Sequence, residues 1–196
     1  MIKPSKFDET QAQREFIPVE LGGHILVIKE VLEMQSRTGR DMLRISFDFA
    51  DSDRQPKHFE KLFRDDIRPD KKWPFGGTTY LLTEDNEGSC SRQFKTFTTS
   101  VEKSNPGFAI NWGDKFAGCF KNKLVGGVFG IVEEEYDGKR TMKRPLRWFR
   151  SVDGVLEADI PEEKLLAPST NNYVPAPNSD GFLNIPDGID EELPFN

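Results

Sequence analysis

The order of apolar and polar residues predicts a chain built mainly from β-strands. Residues 24–34 (HILVIKEVLEM) form an apolar, β-branched run, and residues 41–49 follow it after a short polar stretch. In the second run the positions of one parity are all apolar: Leu43, Ile45, Phe47 and Phe49. Because successive side chains of a strand point to opposite faces, this alternation predicts a β-hairpin with one apolar face.

A second hairpin is predicted near the end of the body of the chain. Residues 124–135 (LVGGVFGIVEEE) lead into Tyr136-Asp-Gly-Lys139, and Asp-Gly supplies the positive φ angles of a tight turn. The returning strand is predicted over residues 140–150. Glycines 126, 127 and 130 inside the outgoing strand indicate a bulge, a bend or the close approach of another backbone.

Shorter elements are predicted around these hairpins. Three helices are expected, carrying Phe59, Leu62 and Phe63, then Phe94, Phe97 and Val101, then Phe116, Cys119 and Phe120. The second is expected to end at Asn105-Pro-Gly107, and the third to be capped by Asp114. Residues 78–83 and 152–160 are two further strand candidates.

The last part of the chain differs in composition and in charge. From Pro168 onward Pro, Asn, Ser, Asp and Gly dominate, with too little apolar material to offset the entropy of ordering. We therefore predict a folded domain over 1–167 and a flexible acidic tail over 168–196. Residues 1–150 contain 26 Lys+Arg against 23 Asp+Glu, and residues 151–196 contain 1 against 10, so the net charge of −6 divides into +3 and −9.

Cations interleaved with aromatic rings form the candidate binding surface. The strand 140–150 with the turn residue Lys139 contains six cations and no carboxylate, and assigning Met142, Leu146 and Trp148 to the core side places Lys143, Arg147 and Phe149 outside. A single nucleic-acid strand requires such a mixture, because cations follow the phosphates while rings stack on unpaired bases. The predicted DNA-binding residues are Lys29, Arg37, Arg40, Arg44, Lys72, Trp73, Lys139, Arg140, Lys143, Arg144, Arg147 and Phe149. The competing interpretation is a set of ordinary solvated charges and anchoring rings.

Few features point to catalysis, a metal or a cofactor. Glu133, Glu134 and Glu135 are adjacent in a predicted strand and so point to alternating faces. Cys90 and Cys119 have no metal-ligand spacing, and neither a nucleophile motif nor a phosphate-binding loop is present. We expect no enzyme activity and no cofactor. No apolar run has membrane-spanning length, and the cytoplasm is the expected compartment.

The final residues combine acids with an apolar end. Asp190, Glu191 and Glu192 precede Leu193, Pro194 and Phe195. A flexible acidic string ending in a ring can be steered to a basic surface and anchored there. We predict that these six residues bind a partner protein; a merely solubilising acidic end is the alternative.

Two resemblances accompany these patterns. DEELPF resembles the C-terminal tip of bacterial single-stranded-DNA-binding proteins, although Leu193 stands in place of an isoleucine and Asn196 follows the phenylalanine. GGHILVIKEV, TGRDMLRISFDF, SNPGF, LVGGVFGIVEEEY and IPEEKLL, over about residues 15 to 166, are similar to OB-fold single-stranded-DNA-binding proteins of phages and prophages of Gram-positive bacteria.

The resemblance implies a five-stranded Greek-key OB barrel with short helical insertions and a groove open to single strands. It implies sequence-independent binding of single-stranded DNA in phage replication or recombination in a bacterial host, with replication or recombination proteins recruited by the tail. A replisome or recombination adaptor that does not bind DNA directly is the alternative, and a metal-dependent nuclease is a third. The oligomeric state, including a homo-oligomer, stays open.

Overall fold

A computed structural model describes residues 3–8 and 17–167. The chain divides into two units, Met1–Leu165 and Leu166–Asn196, and the architecture below is that of the first. The predicted flexible tail and its partner-binding tip lie outside the described residues. Within those residues, no helix has both the length and the apolar character needed to cross a membrane.

The first unit is mainly β, as predicted. Its elements in chain order are β1 (Gly22–Gln35), β2 (Asp41–Phe49), α1 (His58–Asp65), β3 (Thr78–Leu82), α2 (Arg92–Ser104), α3 (Phe116–Cys119), β4 (Leu124–Phe129), β5 (Val132–Tyr136), β6 (Lys139–Lys143) and β7 (Leu146–Arg150). Five strands form an antiparallel sheet of order β3-β2-β1-β4-β7 that curls into a half-barrel. Strands β5 and β6 form a separate two-stranded sheet.

The first predicted hairpin is confirmed, and β1 is its longer arm. The first part of β1 pairs with β4, while the stretch from Leu26 to Gln35 pairs with β2. A register shift between Ile28 and Glu30 leaves Lys29 as an extra residue, and such bulges bend a strand and increase its twist. The alternating apolar residues of β2 are buried as predicted. The sheet therefore curls around one apolar interior.

The second predicted hairpin is divided into two parts. Asp137 and Gly138 have φ angles of 51° and 69° and form the predicted turn, but only β5 and β6 pair across it. Beyond them β4 pairs with β7 in the main sheet. Between the two ladders the Gly130 N–H donates to the Pro145 carbonyl, and Pro145 has no N–H to return a bond. The predicted long hairpin is therefore confirmed, with its ladder interrupted at residues 130–131 and 144–145.

The predicted side-chain parity of the returning strand is confirmed at Leu146 but was wrong at Met142, Trp148 and Phe149. β7 pairs Phe149 with Gly127 and Trp148 with Val128, but Leu146 with Phe129, so Arg147 is an extra bulge residue. This shift lets Leu146 and Phe149 both reach the core and turns Trp148 outward. Met142 belongs to the separate hairpin and is 55% exposed.

The predicted close approach at the strand glycines is confirmed. A Cβ on Gly126 would lie 2.7 Å from the Ser151 carbonyl oxygen, and one on Gly23 would lie 1.5 Å from that of Val155. The strand predicted over residues 152–160 is wrong: Gly154 has a φ of 66°, and a short 3₁₀ turn follows at Val155–Glu157. Val155 is fully buried and seals this end of the sheet.

The helices lie where the apolar spacing predicts them, with one difference at a cap. The Ser91 hydroxyl accepts from the Phe94 N–H at 3.3 Å and begins α2. Lys115 takes the cap position of α3, and no side chain caps that helix, so the predicted role of Asp114 was wrong. Asp48 accepts from the N–H groups at the start of α1; burial raises the pKa of this carboxyl, although those hydrogen bonds lower it in part.

A buried histidine and aspartate connect β1 to the loop after β2. His24 Nδ1 lies 2.9 Å from Asp53 Oδ1, and the backbone N–H groups of Ile25 and Gln55 donate to the same carboxylate. Burial raises the pKa of Asp53, but the hydrogen bonds from His24 and the two N–H groups outweigh it and leave the pKa below 3.8. The His24 ring stacks on Phe49 at 4.4 Å, so the network is continuous with the core.

Candidate nucleic-acid interface

The outer face of β2 and β3 carries a groove of about 750 Å³, which we call the β2–β3 groove. In β2 the core side belongs to Leu43 and Ile45, so Arg44 projects outward, and its neighbour in β3 is Tyr80. The loop between α1 and β3 forms the opposite wall. The residues that give the groove its chemistry are Lys29, Glu30, Arg44, Arg68, Lys72, Phe75 and Tyr80.

Two aromatic rings are available in this groove. Phe75 is 73% exposed and Tyr80 is 46% exposed. Trp73, the predicted stacking ring, is partly buried, and its Nε1–H donates to the carbonyls of Phe47 and Gly77 at 3.2 and 3.1 Å. Trp73 therefore anchors the loop that presents Phe75.

The cations of the β2–β3 groove are mostly paired with carboxylates. Lys29 lies 3.2 Å from Glu60, and Arg44 lies 3.2 Å from Glu30. Lys29 is the bulge residue of β1 and does not stand directly across from Arg44, whose partner in β1 is Leu32.

Three further details concern the charged side chains of this groove. The Arg68 guanidinium lies 2.6 Å from Asp66 and lowers the pKa of that carboxyl to about 2, so Asp66 is ionised at neutral pH. Lys72 makes no ion pair within the described chain. The Nε atom of Arg44 is buried and has no hydrogen-bond partner among the described residues, which is uncommon for a buried donor.

The predicted cations of the turn between β1 and β2 lie at one end of this face. Arg40 donates to the Asn86 side chain and to the Glu84 carbonyl, at 2.9 and 2.7 Å, and so holds the turn against the loop after β3. Arg37 is exposed at the tip.

The predicted uncancelled charge of the second hairpin is found only in part, because Arg140 and Lys143 are paired with acids. Arg140 lies 3.1 Å from Glu135 and 3.7 Å from Glu133, and Lys143 forms an ion pair with Glu134. The pattern of one strand predicted free cations, but the acids lie on its neighbour β5. Arg144 donates to the Val19 carbonyl at 2.7 Å, and Lys139 is exposed.

One residue of that hairpin reaches the groove: Lys143 Nζ lies 5.8 Å from the centre of the Phe75 ring. The predicted outward direction of Phe149 was wrong, because the ring is 4% exposed and packs 4.9 Å from Phe97. In its folded position Phe149 cannot stack on a base. Arg147 donates to the carbonyls of Ile131 and Glu162 at 3.3 and 3.2 Å.

The structure thus brings together Lys29, Arg44, Lys72 and Trp73 of the predicted set, with Lys143 at the rim. Sequence reasoning missed Arg68 and Tyr80, and it chose Trp73 instead of Phe75 as the stacking ring of the loop 71–77. The alternation within residues 78–82 could have placed Tyr80 opposite the buried Leu81, and Phe75 lies in the same cationic and aromatic loop as Trp73.

The comparisons with known proteins provide no family for this site. No protein-family model matches the chain, and the search of curated proteins finds no similar sequence. The function is therefore inferred from the groove, from its rings and from its charges.

Proposed function

We propose that the protein binds single-stranded DNA in the β2–β3 groove, with little dependence on sequence and without catalysing a reaction. The observation that carries this proposal is the pair of exposed rings, Phe75 and Tyr80, in one groove with four cations. Rings of this kind stack on unpaired bases, and each stacked base is worth about 1–3 kcal/mol. Paired bases do not expose their faces, so the rings favour single strands over duplex.

The topology supports an OB fold as part of the proposal. The order β3-β2-β1-β4-β7, with α2 between β3 and β4, matches a five-stranded barrel that is open between its third and fifth strands. OB folds bind oligonucleotides on the face of strands 2 and 3 and in the loops after strands 1 and 4. In this chain the corresponding features are the β2–β3 groove, the turn between β1 and β2 that carries Arg37, and the β5–β6 hairpin between β4 and β7.

The ion pairs of the groove are compatible with phosphate binding. The paired side chains of Lys29 and Arg44 are partly exposed, and such pairs contribute about 0–1 kcal/mol to stability. A phosphate can therefore replace the carboxylate at small cost to the fold. Each cation that gains a phosphate releases a counterion from the DNA, which makes binding depend on salt.

The wider role we propose is coating of single strands during phage replication or recombination in a bacterial host. In this role Asp190–Phe195 recruit a replication or recombination protein. The acidic and apolar character of that segment supports recruitment.

A titration with fluorescein-labelled oligo-dT at several salt concentrations tests the proposal. We expect submicromolar binding at low salt, a steep loss of affinity as salt rises, and weaker binding of duplex. Lys72→Glu is expected to weaken binding, and Lys121→Glu, with the same charge change at an exposed position outside the groove, serves as the control. Equal or tighter affinity for duplex would reject the proposal.

A protein-binding adaptor is the second candidate, and one observation favours it. A largely apolar groove of about 450 Å³ lies between α1, the Phe75 loop and the segment joining β6 to β7, with Phe75 and Met142 exposed on it. An apolar protein segment would fit such a groove. The adaptor predicts that Arg44→Glu with Lys72→Glu preserves function in the host, whereas deletion of residues 187–196 abolishes it. Single-strand binding predicts that the double variant loses function.

A further inference from the structure

A second groove lies at the open side of the half-barrel, between β3, β7 and the start of α2; we call it the β3–β7 groove. Its volume is about 240 Å³. Tyr80 lines both this groove and the β2–β3 groove, so the two meet at one side chain on the edge strand β3. The β3–β7 groove also contains Arg92 of α2 and Arg147 and Trp148 of β7.

The cations of this second groove have no carboxylate partner within the described chain. Arg92 is exposed, and no acidic side chain among residues 3–8 and 17–167 lies within 4.0 Å of its guanidinium. Among the residues that the structure describes, Arg147 donates only to two backbone carbonyls, which orient the guanidinium and leave its charge in place. A phosphate approaching this groove meets two positive charges and displaces no acid, in contrast to the β2–β3 groove.

The second groove also presents a ring. Trp148 is 44% exposed because the bulge at Arg147 turns it away from the core. The Arg147 guanidinium lies 6.0 Å from the centre of the Trp148 ring, in the range of a cation–π contact. A ring beside a fixed cation is suited to one nucleotide, whose base stacks on the ring while its phosphate meets the guanidinium.

We propose that a bound single strand continues from the β2–β3 groove past Tyr80 into the β3–β7 groove, where Trp148 stacks on a base and Arg92 and Arg147 bind phosphates. This inference rests on the proposed function and extends it by a second subsite. The strand then crosses the edge of β3 and runs along the open side of the half-barrel. Long single strands therefore gain contacts that short ones do not.

The experiment compares oligo-dT of about four and about twelve nucleotides, within the range of site sizes known for OB folds. Trp148→Ala and Arg92→Gln remove the ring and one cation. Arg147 is left intact because its hydrogen bonds hold the chain near β5 and the segment after β7. Trp112→Ala and Lys121→Gln are the matched controls, since both side chains are exposed and line neither groove.

We expect Trp148→Ala to weaken binding of the longer oligonucleotide by about fivefold to 150-fold, the range for one stacked base, and to leave the shorter one unchanged. Arg92→Gln should weaken binding of the longer oligonucleotide and make that binding less dependent on salt, because one phosphate contact is lost. Circular dichroism melting checks folding, and Arg92→Gln alone suffices if Trp148→Ala is unfolded.

The results that contradict the inference are distinct from those that contradict the proposed function. Unchanged binding of the longer oligonucleotide by both variants would overturn the second subsite. If Trp148→Ala lowered the affinity for both oligonucleotides equally, the continuous path would be overturned, because Trp148 would then belong to the first subsite. If the wild-type protein bound neither oligonucleotide, the proposed function itself would fail.

Discussion

Replacing Glu30 by glutamine should strengthen binding of single-stranded DNA. Glu30 lies in the β2–β3 groove and accepts from the Arg44 guanidinium at 3.2 Å. Both side chains are partly exposed, so loss of this pair should change the free energy of unfolding by no more than about 1 kcal/mol. The substitution leaves Arg44 without its carboxylate and free to bind a phosphate.

The size of the effect follows from counterion release. One additional phosphate contact with a single strand makes the slope of log K against log salt more negative by about 0.7. If the gain is negligible near about 1 M salt, the twentyfold lower salt at about 50 mM corresponds to about 0.9 log units, or roughly eightfold tighter binding. At about 200 mM the gain falls to roughly threefold.

Fluorescence anisotropy with labelled oligo-dT over this salt range measures both quantities. Asp8→Asn is the matched control, because it makes the same change in net charge at an ion pair with Lys3, outside the groove. Adding Arg44→Gln to Glu30→Gln should return the slope to that of the wild type, because the additional contact is lost again. If Glu30→Gln had the affinity and the slope of the Asp8→Asn control, Arg44 would not contact phosphate and the reasoning would be refuted.

Three further predictions concern one ring and two positions in the fold. Phe75→Ala should weaken oligo-dT binding by about 1–3 kcal/mol with an unchanged melting temperature, since the ring is mostly exposed; a large fall in melting temperature would contradict its assignment to the surface. Asp53→Asn should lower the free energy of unfolding at neutral pH by about 1–3 kcal/mol. Because the pKa of Asp53 is lowered in the fold, the wild-type protein should be more stable than Asp53→Asn above about pH 5 and should lose this extra stability as the pH falls through the lowered pKa. Denaturant titrations in which the difference in free energy of unfolding did not depend on pH would refute this. Gly23→Ala should prevent native folding, because its Cβ would lie 1.5 Å from the Val155 carbonyl oxygen, and a native circular dichroism spectrum with an unchanged melting temperature would contradict that close approach.

Short sequence patterns predicted those parts of the fold that depend only on residues close together in the chain. Strict alternation from Leu43 to Phe49 placed the apolar face of β2 correctly, and Asp137-Gly138 placed the tight turn. The spacing of Phe97 and Val101 predicted the buried side of α2. In each case the signal lies within a few residues, and no distant partner changes it.

The errors arose where a partner strand decides the outcome. The extra residue Arg147 exists only relative to β4, and it reversed the expected directions of Trp148 and Phe149. The prediction of free cations on β6 did not include the neighbouring strand β5, whose glutamates pair with Arg140 and Lys143. The cations and rings of the candidate site were therefore recognised as residue types, while their grouping required the pairing of the strands.

The division of the second hairpin has a consequence for how the protein can change. No buried core residue of the described chain lies between Gly130 and Pro145, so β5 and β6 form an appendage whose length is not constrained by packing. Insertions or deletions at its tip should leave the half-barrel intact. Descendants of this sequence could vary the length of the appendage while the half-barrel stays the same.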